Sequence, residues 1–148
     1  MAYQDDIKKA AALLLPWNKL SGCNILVTGA TGLIGGCLVD VLMAHKGRNY
    51  NVYASGRNEE RAGRRFLKYA DDNAFHFVKY DVAQPLEYDV NFQYIIHAAS
   101  GAYPEEFIKH PVEVIKGNIN GLDNLMGYGI QHGIKRLLYI SSGEVYGE

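Results

Sequence analysis

Three glycines between residues 28 and 35 have the spacing and the setting of a phosphate-binding turn. Gly29, Gly32 and Gly35 lie directly between an apolar run and an amphipathic stretch. The first glycine permits a tight turn, the second lets the backbone approach a pyrophosphate, and the third lets a helix pack closely on a strand. The helix that follows would present unpaired amides to the phosphates. We therefore predict that a dinucleotide is held here by Gly29, Thr31, Gly32, Leu33, Ile34 and Gly35.

A second set of candidates follows the apolar run that ends near residue 98. Ala98, Ala99, Ser100 and Gly101 are all small. Small residues at the carboxyl end of a strand leave room for a ligand in the crevice of an α/β sheet. His97 comes just before them, and we interpret it as a structural residue at the strand end rather than as a base.

The residues after the second predicted strand bear on which dinucleotide binds. An NAD site places an acidic side chain there for the ribose 2′-hydroxyl, but this chain has Arg57 and Asn58. Arg57 can pair with the 2′-phosphate of NADP, or it can stack on adenine at the surface. The local sequence favours NADP and leaves both dinucleotides open.

Alternating strands and helices are predicted along the chain after residue 23, and they would position these side chains. Apolar runs at 25–27, 52–55, 75–80, 94–98 and 136–140 predict five strands. Amphipathic stretches predict helices at 33–46, at 59–70 and from Pro111 onward. The last helix has one apolar face, formed by Val112, Ile115, Ile119, Leu122 and Met126. Right-handed crossovers then give an α/β fold, a doubly wound parallel sheet of the Rossmann type with strand order 3-2-1-4-5.

Residues 1–22 precede this pattern and are interpreted as an N-terminal helical appendage to a domain over residues 23–148. A short helix over 4–15 is expected to end at Pro16. The apolar run at 10–15 is far shorter than the roughly 20 residues that span a bilayer. Asp5 and Asp6 stand where a signal peptide carries positive charge. We therefore expect a cytoplasmic protein without a membrane partner.

Composition argues against several other classes of protein. The chain has 148 residues, of which 48% are hydrophobic and 21% charged, with a formal net charge of −1; these values fit one globular domain. Basic residues cluster only between residues 61 and 68, so no nucleic-acid partner is expected. Two cysteines, Cys23 and Cys37, are too few for a disulfide framework or a zinc site. We expect both to be reduced and no metal to be bound.

The glycine turn and several later motifs resemble the extended short-chain dehydrogenases, the NAD-dependent epimerase/dehydratase family. Thr-Gly-x-x-Gly-x-x-Gly is the fingerprint of that family, and the likeness continues over nearly the whole chain from Asn24. The stretch 141–147, Ser-Ser-Gly-Glu-Val-Tyr-Gly, is similar to the family's Ser-Ser-x-x-Val-Tyr-Gly after the fifth strand. The resemblance implies further cofactor contacts by Asp81, Val82, His97, Ala98, Ala99 and Asn118. Asp81 can instead cap a turn.

The resemblance also implies a reaction on a nucleotide sugar through a 4-keto intermediate. In these enzymes a residue at the position of Ser142 hydrogen-bonds the sugar hydroxyl that is oxidised, and the nicotinamide takes the hydride. A carboxylate at the position of Glu144 assists elimination or decarboxylation in the dehydratases and UDP-glucuronate decarboxylases. Gly143 departs from the dehydratases, which carry an acid there, and residues 99–104 look closest to the decarboxylases. Ser142 can instead cap a turn, and Glu144 can bond to a loop.

The family's tyrosine base, in the pattern Tyr-x-x-x-Lys, is missing from the sequence. None of the 11 tyrosines is followed four residues later by lysine. We therefore expect a truncated chain that binds NAD or NADP but is inactive alone, and a full-length enzyme that takes a nucleotide sugar and forms a homodimer. Two alternatives remain, a reductase of a non-sugar carbonyl and a non-catalytic NADP-sensing module. An unpaired apolar strand at 137–140 would also promote self-association.

Overall fold

Five parallel strands form one sheet at the centre of the domain. The computed structural model describes residues 2–100 and 104–147. The strands are β1 (Asn24–Thr28), β2 (Asn51–Gly56), β3 (Phe75–Lys79), β4 (Tyr94–His97) and β5 (Arg136–Tyr139). Their order is β3-β2-β1-β4-β5, and each neighbouring pair is parallel. The predicted fold class and strand order are confirmed.

The central strand β1 is buried on both of its faces. Ile25 and Val27 belong to the hydrophobic core on one side of the sheet, and Leu26 belongs to the core on the other. Successive side chains of a strand point to opposite faces, so an apolar run without alternation is typical of a covered parallel strand. Thr28, the last residue of β1, is also completely buried. The turn that follows it therefore starts from a fixed point in the middle of the sheet.

The helices agree with the predicted pattern at their starts more closely than at their ends. They are α1 (Ala2–Ala11), α2 (Leu33–Ala44), α3 (Glu59–Phe66), α4 (Pro104–Lys109) and α5 (Pro111–His132). α2 and α3 begin at the predicted residues but end earlier than predicted, and α3 passes into a 3₁₀ turn at Leu67–Tyr69. The short α4 was not predicted.

α5 packs on the sheet through small residues as well as large ones. A Cβ atom at Gly121 would lie 3.1 Å from the Val82 side chain, and one at Gly129 would lie 2.5 Å from the Ile134 side chain. Both glycines are buried, together with Leu125. Glycine at these two positions lets the helix backbone come close to its neighbours.

The apolar face predicted for α5 is not the face that packs on the sheet. Val112, Ile115, Ile119 and Met126 are between 48% and 63% exposed, whereas Leu122 is half-buried. Periodicity locates apolar stripes on a helix but does not say which stripe meets the sheet. In α5 the buried stripe contains Gly121, Leu125, Tyr128 and Gly129.

α1 is shorter than the predicted helix over 4–15. It ends at Ala11, and Leu13, Leu14 and Leu15 are 57%, 103% and 51% exposed. The residue before a proline is driven out of the helical region of backbone space, so Pro16 already limits Leu15. A 3₁₀ helix at Trp17–Leu20 follows the exposed leucines.

A buried carboxylate joins α1 to α2 and α3. Asp40 of α2 is completely buried and accepts hydrogen bonds from the hydroxyls of Tyr3 at 2.6 Å and Tyr69 at 2.9 Å. It forms ion pairs with Arg65 at 2.6 Å and with Lys68 at 2.9 Å. Burial acts to raise the pKa of Asp40, but the hydrogen bonds from Arg65, Tyr3, Lys68 and Tyr69 outweigh it and lower this pKa to about 2. The sequence analysis did not identify this cluster.

The described residues contain neither a membrane-spanning helix nor a metal-binding cluster. Within residues 2–100 and 104–147, no helix has the length and apolar character needed to cross a membrane. No group of three or more His, Cys, Asp or Glu side chains in the same ranges could hold a metal ion. Cys23 is buried, Cys37 is half-buried, and neither forms a disulfide.

Candidate functional site

The turn from β1 into α2 begins at Gly29, which has a backbone φ of +66°. Side chains of L residues rarely adopt this conformation. A Cβ atom at Gly29 would also lie 2.5 Å from the carbonyl oxygen of Ala98, just after β4. Glycine is therefore required here both by the backbone angle and by the close approach of two strand ends.

Gly35 and Gly32 have different surroundings on the same turn. A Cβ atom at Gly35 would lie 2.4 Å from the carbonyl oxygen of Gly29, so glycine lets the first turn of α2 rest on the loop. A Cβ atom at Gly32 would meet only that same oxygen, at 3.2 Å. Gly32 is exposed and has an ordinary φ of −79°. The open side of Gly32 is where a ligand can approach the backbone.

The start of α2 presents amides that have no backbone acceptor. In the described part of the chain, no backbone hydrogen bond is donated by the amides of Leu33, Ile34 or Gly35. The amide of Gly36 is the first to join the helix, donating to the Gly32 carbonyl at 3.0 Å. The first turn carries no acidic side chain, so nothing there opposes the positive end of the helix dipole. This arrangement suits a pyrophosphate.

The end of β2 forms the wall of the turn on one side. The amide of Ala30 donates to the carbonyl of Ser55 at 3.0 Å. Gly56 faces Thr31, because a Cβ atom at Gly56 would lie 3.6 Å from the Thr31 side chain. Ser55 is buried, and its hydroxyl has no hydrogen-bond partner among the described residues. Ser55 was not predicted as a site residue, although its position near the carboxyl end of β2 indicates a place close to the turn.

Two predicted cofactor residues make local hydrogen bonds that organise the backbone. The Asn58 side chain caps α3 by accepting a hydrogen bond from the Arg61 amide at 2.8 Å. The Asp81 carboxylate accepts a hydrogen bond from the Ala83 amide at 3.1 Å, which is the turn-capping alternative. Arg57 is exposed beside Asn58. Contacts of these three side chains with a cofactor stay predictions.

His97 joins the ends of β1 and β4 beneath the turn. It is completely buried, and its Nδ1 lies 2.7 Å from the hydroxyl of Thr28. Burial lowers the pKa of His97 below its ordinary value, which favours the neutral ring. Its Nε2 has no hydrogen-bond partner among the described residues, and this atom lies 3.5 Å from where a Cβ atom at Gly121 would be. These contacts support the interpretation that His97 is a structural residue at the strand end rather than a base.

The other predicted residues are distributed around the same edge of the sheet. Ala98 and Ala99 follow β4 and are half-buried, and the Ala98 carbonyl is the atom nearest to Gly29. Val82 is half-buried after β3, and its carbonyl accepts a hydrogen bond from the Asn124 side chain at 2.9 Å. Asn118 lines a hollow of about 360 Å³ between α5 and Tyr139 of β5.

The catalytic candidates lie just after β5. Ser142 is exposed there, and a short 3₁₀ helix at Gly143–Tyr146 follows it. The side chain of Glu144 lies outside the described residues, as does Gly101. The structure therefore brings the glycine turn, Ala98 and Ala99 together, and it places the backbone around Ser142 at the end of the neighbouring strand.

A parallel sheet of order 3-2-1-4-5 whose central strand leads through a glycine turn into a helix defines the class of dinucleotide-binding α/β domains. The model of the NAD dependent epimerase/dehydratase family matches residues 25–148. The chain belongs to this family, which confirms the resemblance predicted from the motifs.

Known relatives show what the chain is similar to. It is 34% identical to UDP-glucuronic acid decarboxylase 6 of Arabidopsis thaliana over 131 residues, covering 86% of this chain and 36% of that protein. It is 32% identical to UDP-glucuronic acid decarboxylase 1 of Danio rerio over 126 residues, covering 84% and 28%. A solved UDP-glucose-4-epimerase from Stenotrophomonas maltophila, with bound NAD and formylated UDP-arabinopyranose, matches with a TM-score of 0.68 and 25% identity over 84% of this chain and 38% of its own. The chain spans about a third of the length of these relatives.

Proposed function

We propose that the chain binds a nicotinamide dinucleotide across the carboxyl edge of its sheet, with the pyrophosphate over Gly32. The observation that carries this proposal is the turn itself. Gly29 and Gly35 fix the backbone of the turn, and Gly32 leaves one side of that backbone accessible to a ligand. The amides of Leu33 and Ile34 have no backbone acceptor in the described part of the chain. Membership of an NAD-dependent family supports the same cofactor class.

We further propose that the chain is the cofactor-binding part of an enzyme that acts on a nucleotide sugar. The relatives are named as UDP-glucuronic acid decarboxylases and as a UDP-glucose epimerase, and these names support a UDP-sugar substrate. In this proposal the glycine turn would hold the dinucleotide, which when bound would supply the hydride-accepting chemistry needed to oxidise a sugar hydroxyl to a 4-keto group. Ser142 holds the sugar hydroxyl that is oxidised, and Glu144 assists decarboxylation or elimination.

The choice between NAD and NADP is proposed to depend on Arg57. No acidic residue follows β2 at the position that would bind a ribose 2′-hydroxyl. An exposed guanidinium at that position can form a charge-assisted contact with a 2′-phosphate, which favours NADP. The description of the family names NAD.

Calorimetric titration with NAD and NADP tests the proposed cofactor site. We expect wild type to bind at least one dinucleotide and Gly32→Val to weaken that binding by at least about tenfold, because the branched side chain blocks the approach to the backbone. Gly127→Val is the matched control, since nothing lies within 4 Å of a Cβ atom at Gly127. Equal affinity of wild type and a folded Gly32→Val, or no binding by wild type, would contradict the proposal.

A further inference from the structure

A hollow of about 420 Å³ lies at the edge of the sheet opposite to the phosphate turn. One wall is the segment 15–20, which includes the 3₁₀ helix, and the other is the amino ends of β4 and β5. Its apolar lining includes Leu15, Trp17, Leu20 and Tyr94. The family match begins at residue 25, so five of the eight residues that line the hollow lie outside the matched part of the chain.

The walls of the hollow are joined by direct contacts. The Tyr94 hydroxyl donates a hydrogen bond to the carbonyl of Lys19 at 3.1 Å. The Trp17 ring stacks on His45 with centroids 4.4 Å apart, and its Nε1 donates to the carbonyl of Leu13 at 2.9 Å. The amide of Lys135 donates to the carbonyl of Gln93 at 2.8 Å. The hydrogen bond between Tyr94 and Lys19 therefore joins the two walls, and the other contacts hold each wall in place.

Three cationic side chains line the same hollow, namely those of Lys19, Lys135 and Arg136. The Lys135 ammonium lies 5.8 Å from the centroid of the Tyr94 ring and 3.4 Å from the Cys23 sulfur. Within the part of the chain that the structure describes, no carboxylate forms an ion pair with any of the three. Positive charge without an internal counterion thus borders an apolar and aromatic cavity.

We propose that this hollow is a second ligand site, which takes a small organic anion with an aromatic or aliphatic body. The anionic head pairs with Lys135, Arg136 and Lys19, and the body packs on Trp17, Leu15 and Tyr94. The volume falls in the range of roughly 300–1,000 Å³ that small-molecule sites have, and a mostly apolar lining with a few polar groups is typical of them. This site is separate from the proposed cofactor site, because it lies at the amino ends of the strands.

Trp17 provides a direct readout because it is the only tryptophan in the chain. The probe is 8-anilinonaphthalene-1-sulfonate, an aromatic anion that accepts excitation energy from tryptophan. We expect saturable, one-site energy transfer from Trp17 to the probe, and little affinity for neutral N-phenyl-1-naphthylamine. Lys135→Gln and Arg136→Gln should each weaken binding by about fivefold, as expected for loss of one partly exposed charge contact.

Matched controls separate this site from the exposed apolar residues and from the cofactor site. Lys46→Gln removes an exposed cation that does not line the hollow, so probe affinity should stay unchanged. Gly32→Val should also leave the probe affinity unchanged, even if dinucleotide binding is lost. Equal affinity for the neutral compound, insensitivity to both Lys135→Gln and Arg136→Gln, or binding of anionic phospholipid vesicles without binding of the soluble probe would overturn the proposal.

Discussion

At the residue scale, two glycines of the phosphate turn are needed for different reasons. Gly29 has a positive φ and would bring a Cβ atom within 2.5 Å of the Ala98 carbonyl, so it serves the fold. Gly32 has an ordinary φ, and a Cβ atom there would meet only the Gly29 carbonyl oxygen, at 3.2 Å. We therefore attribute glycine at this position to the proposed approach of a ligand. The spacing of the glycines predicted both positions, and the geometry distinguishes their roles.

Arg57 is the residue whose substitution tests cofactor choice. If its guanidinium contacts the 2′-phosphate, Arg57→Ala should weaken NADP binding by about three- to tenfold and leave NAD binding nearly unchanged, since a charge-assisted contact contributes on the order of 1 kcal/mol at a surface. Calorimetry with both dinucleotides measures the difference. Arg61→Ala is the control, because it removes another cation four residues further along the chain. An equal loss for NAD and NADP would mean that Arg57 stacks on adenine or orders the loop.

Residues that act locally were predictable from sequence, and residues that act through distant contacts were not. The glycines of the turn and the strand-end position of His97 follow from their immediate neighbours in the chain. The hydrogen bond between His97 and Thr28 joins residues 69 positions apart, and it exists only because β1 and β4 are adjacent. A single sequence carries no signal for such a pairing beyond the predicted strand order.

At the scale of elements, the Asp40 cluster determines how α1, α2 and α3 are held together. Periodicity placed Asp40 inside a helix but could not show that cations and hydroxyls from three other elements, α1, α3 and the 3₁₀ turn at Leu67–Tyr69, converge on it. Tyr3 and Arg65 lie on α1 and α3 and contact the same carboxylate. The cluster therefore attaches the N-terminal appendage to the domain through one buried charge.

The pH dependence of stability tests this cluster. The pKa of Asp40 falls from an ordinary 3.8 to about 2 in the folded protein, which corresponds to about 2 kcal/mol of stability at neutral pH. Because the folded-state pKa is the lower one, this contribution is complete above 3.8 and is lost as the pH falls towards 2. Asp40→Asn should therefore unfold more easily than wild type at neutral pH, by roughly that amount or more.

Denaturant unfolding of wild type and Asp40→Asn at several pH values measures the effect. The difference in free energy of unfolding between wild type and Asp40→Asn should narrow between pH 4 and pH 2, because Asp40 becomes protonated over this range. Asp72→Asn is a useful comparison, since Asp72 pairs with Arg48 away from the cluster. A difference that stays constant over this pH range would show that the charge of Asp40 is not what stabilises the fold.

The edge strand β5 is the element from which we predict self-association. It pairs only with β4 among the described strands, and Leu138 and Tyr139 are 50% and 37% exposed. Apolar edges of this kind recruit other chains. Leu138→Lys should shift sedimentation towards monomer, whereas Ile130→Lys, at a more exposed position on α5, should shift it less. A wild-type protein that stays monomeric at high concentration would contradict this prediction.

At the scale of the whole molecule, we predict cofactor binding without turnover by the 148-residue chain. Oxidation of a sugar hydroxyl needs a base of suitable strength close to the proton. A serine hydroxyl such as Ser142 is far too weak, a carboxylate such as Glu144 is a poor base for an alcohol, and no Tyr-x-x-x-Lys is present. Incubation with NAD or NADP and UDP- or dTDP-sugars should give no reduced cofactor by absorbance. Reduction by the chain alone would reveal a base that we have not identified.

The strand order also has a consequence for the route by which the chain folds. β2 pairs with strands that are its neighbours in sequence. β4 must instead find β1 across 69 positions, as between Ile25 and Tyr94. Closing the longer loop costs more chain entropy and slows the pairing. The half built around β1, β2 and β3 should therefore acquire protected amides before β4, and pulse-labelled hydrogen exchange would show this as two separate phases. Since Gly29 packs against Ala98, the phosphate turn reaches its final shape only in the second phase, so the ability to bind a cofactor is gained last.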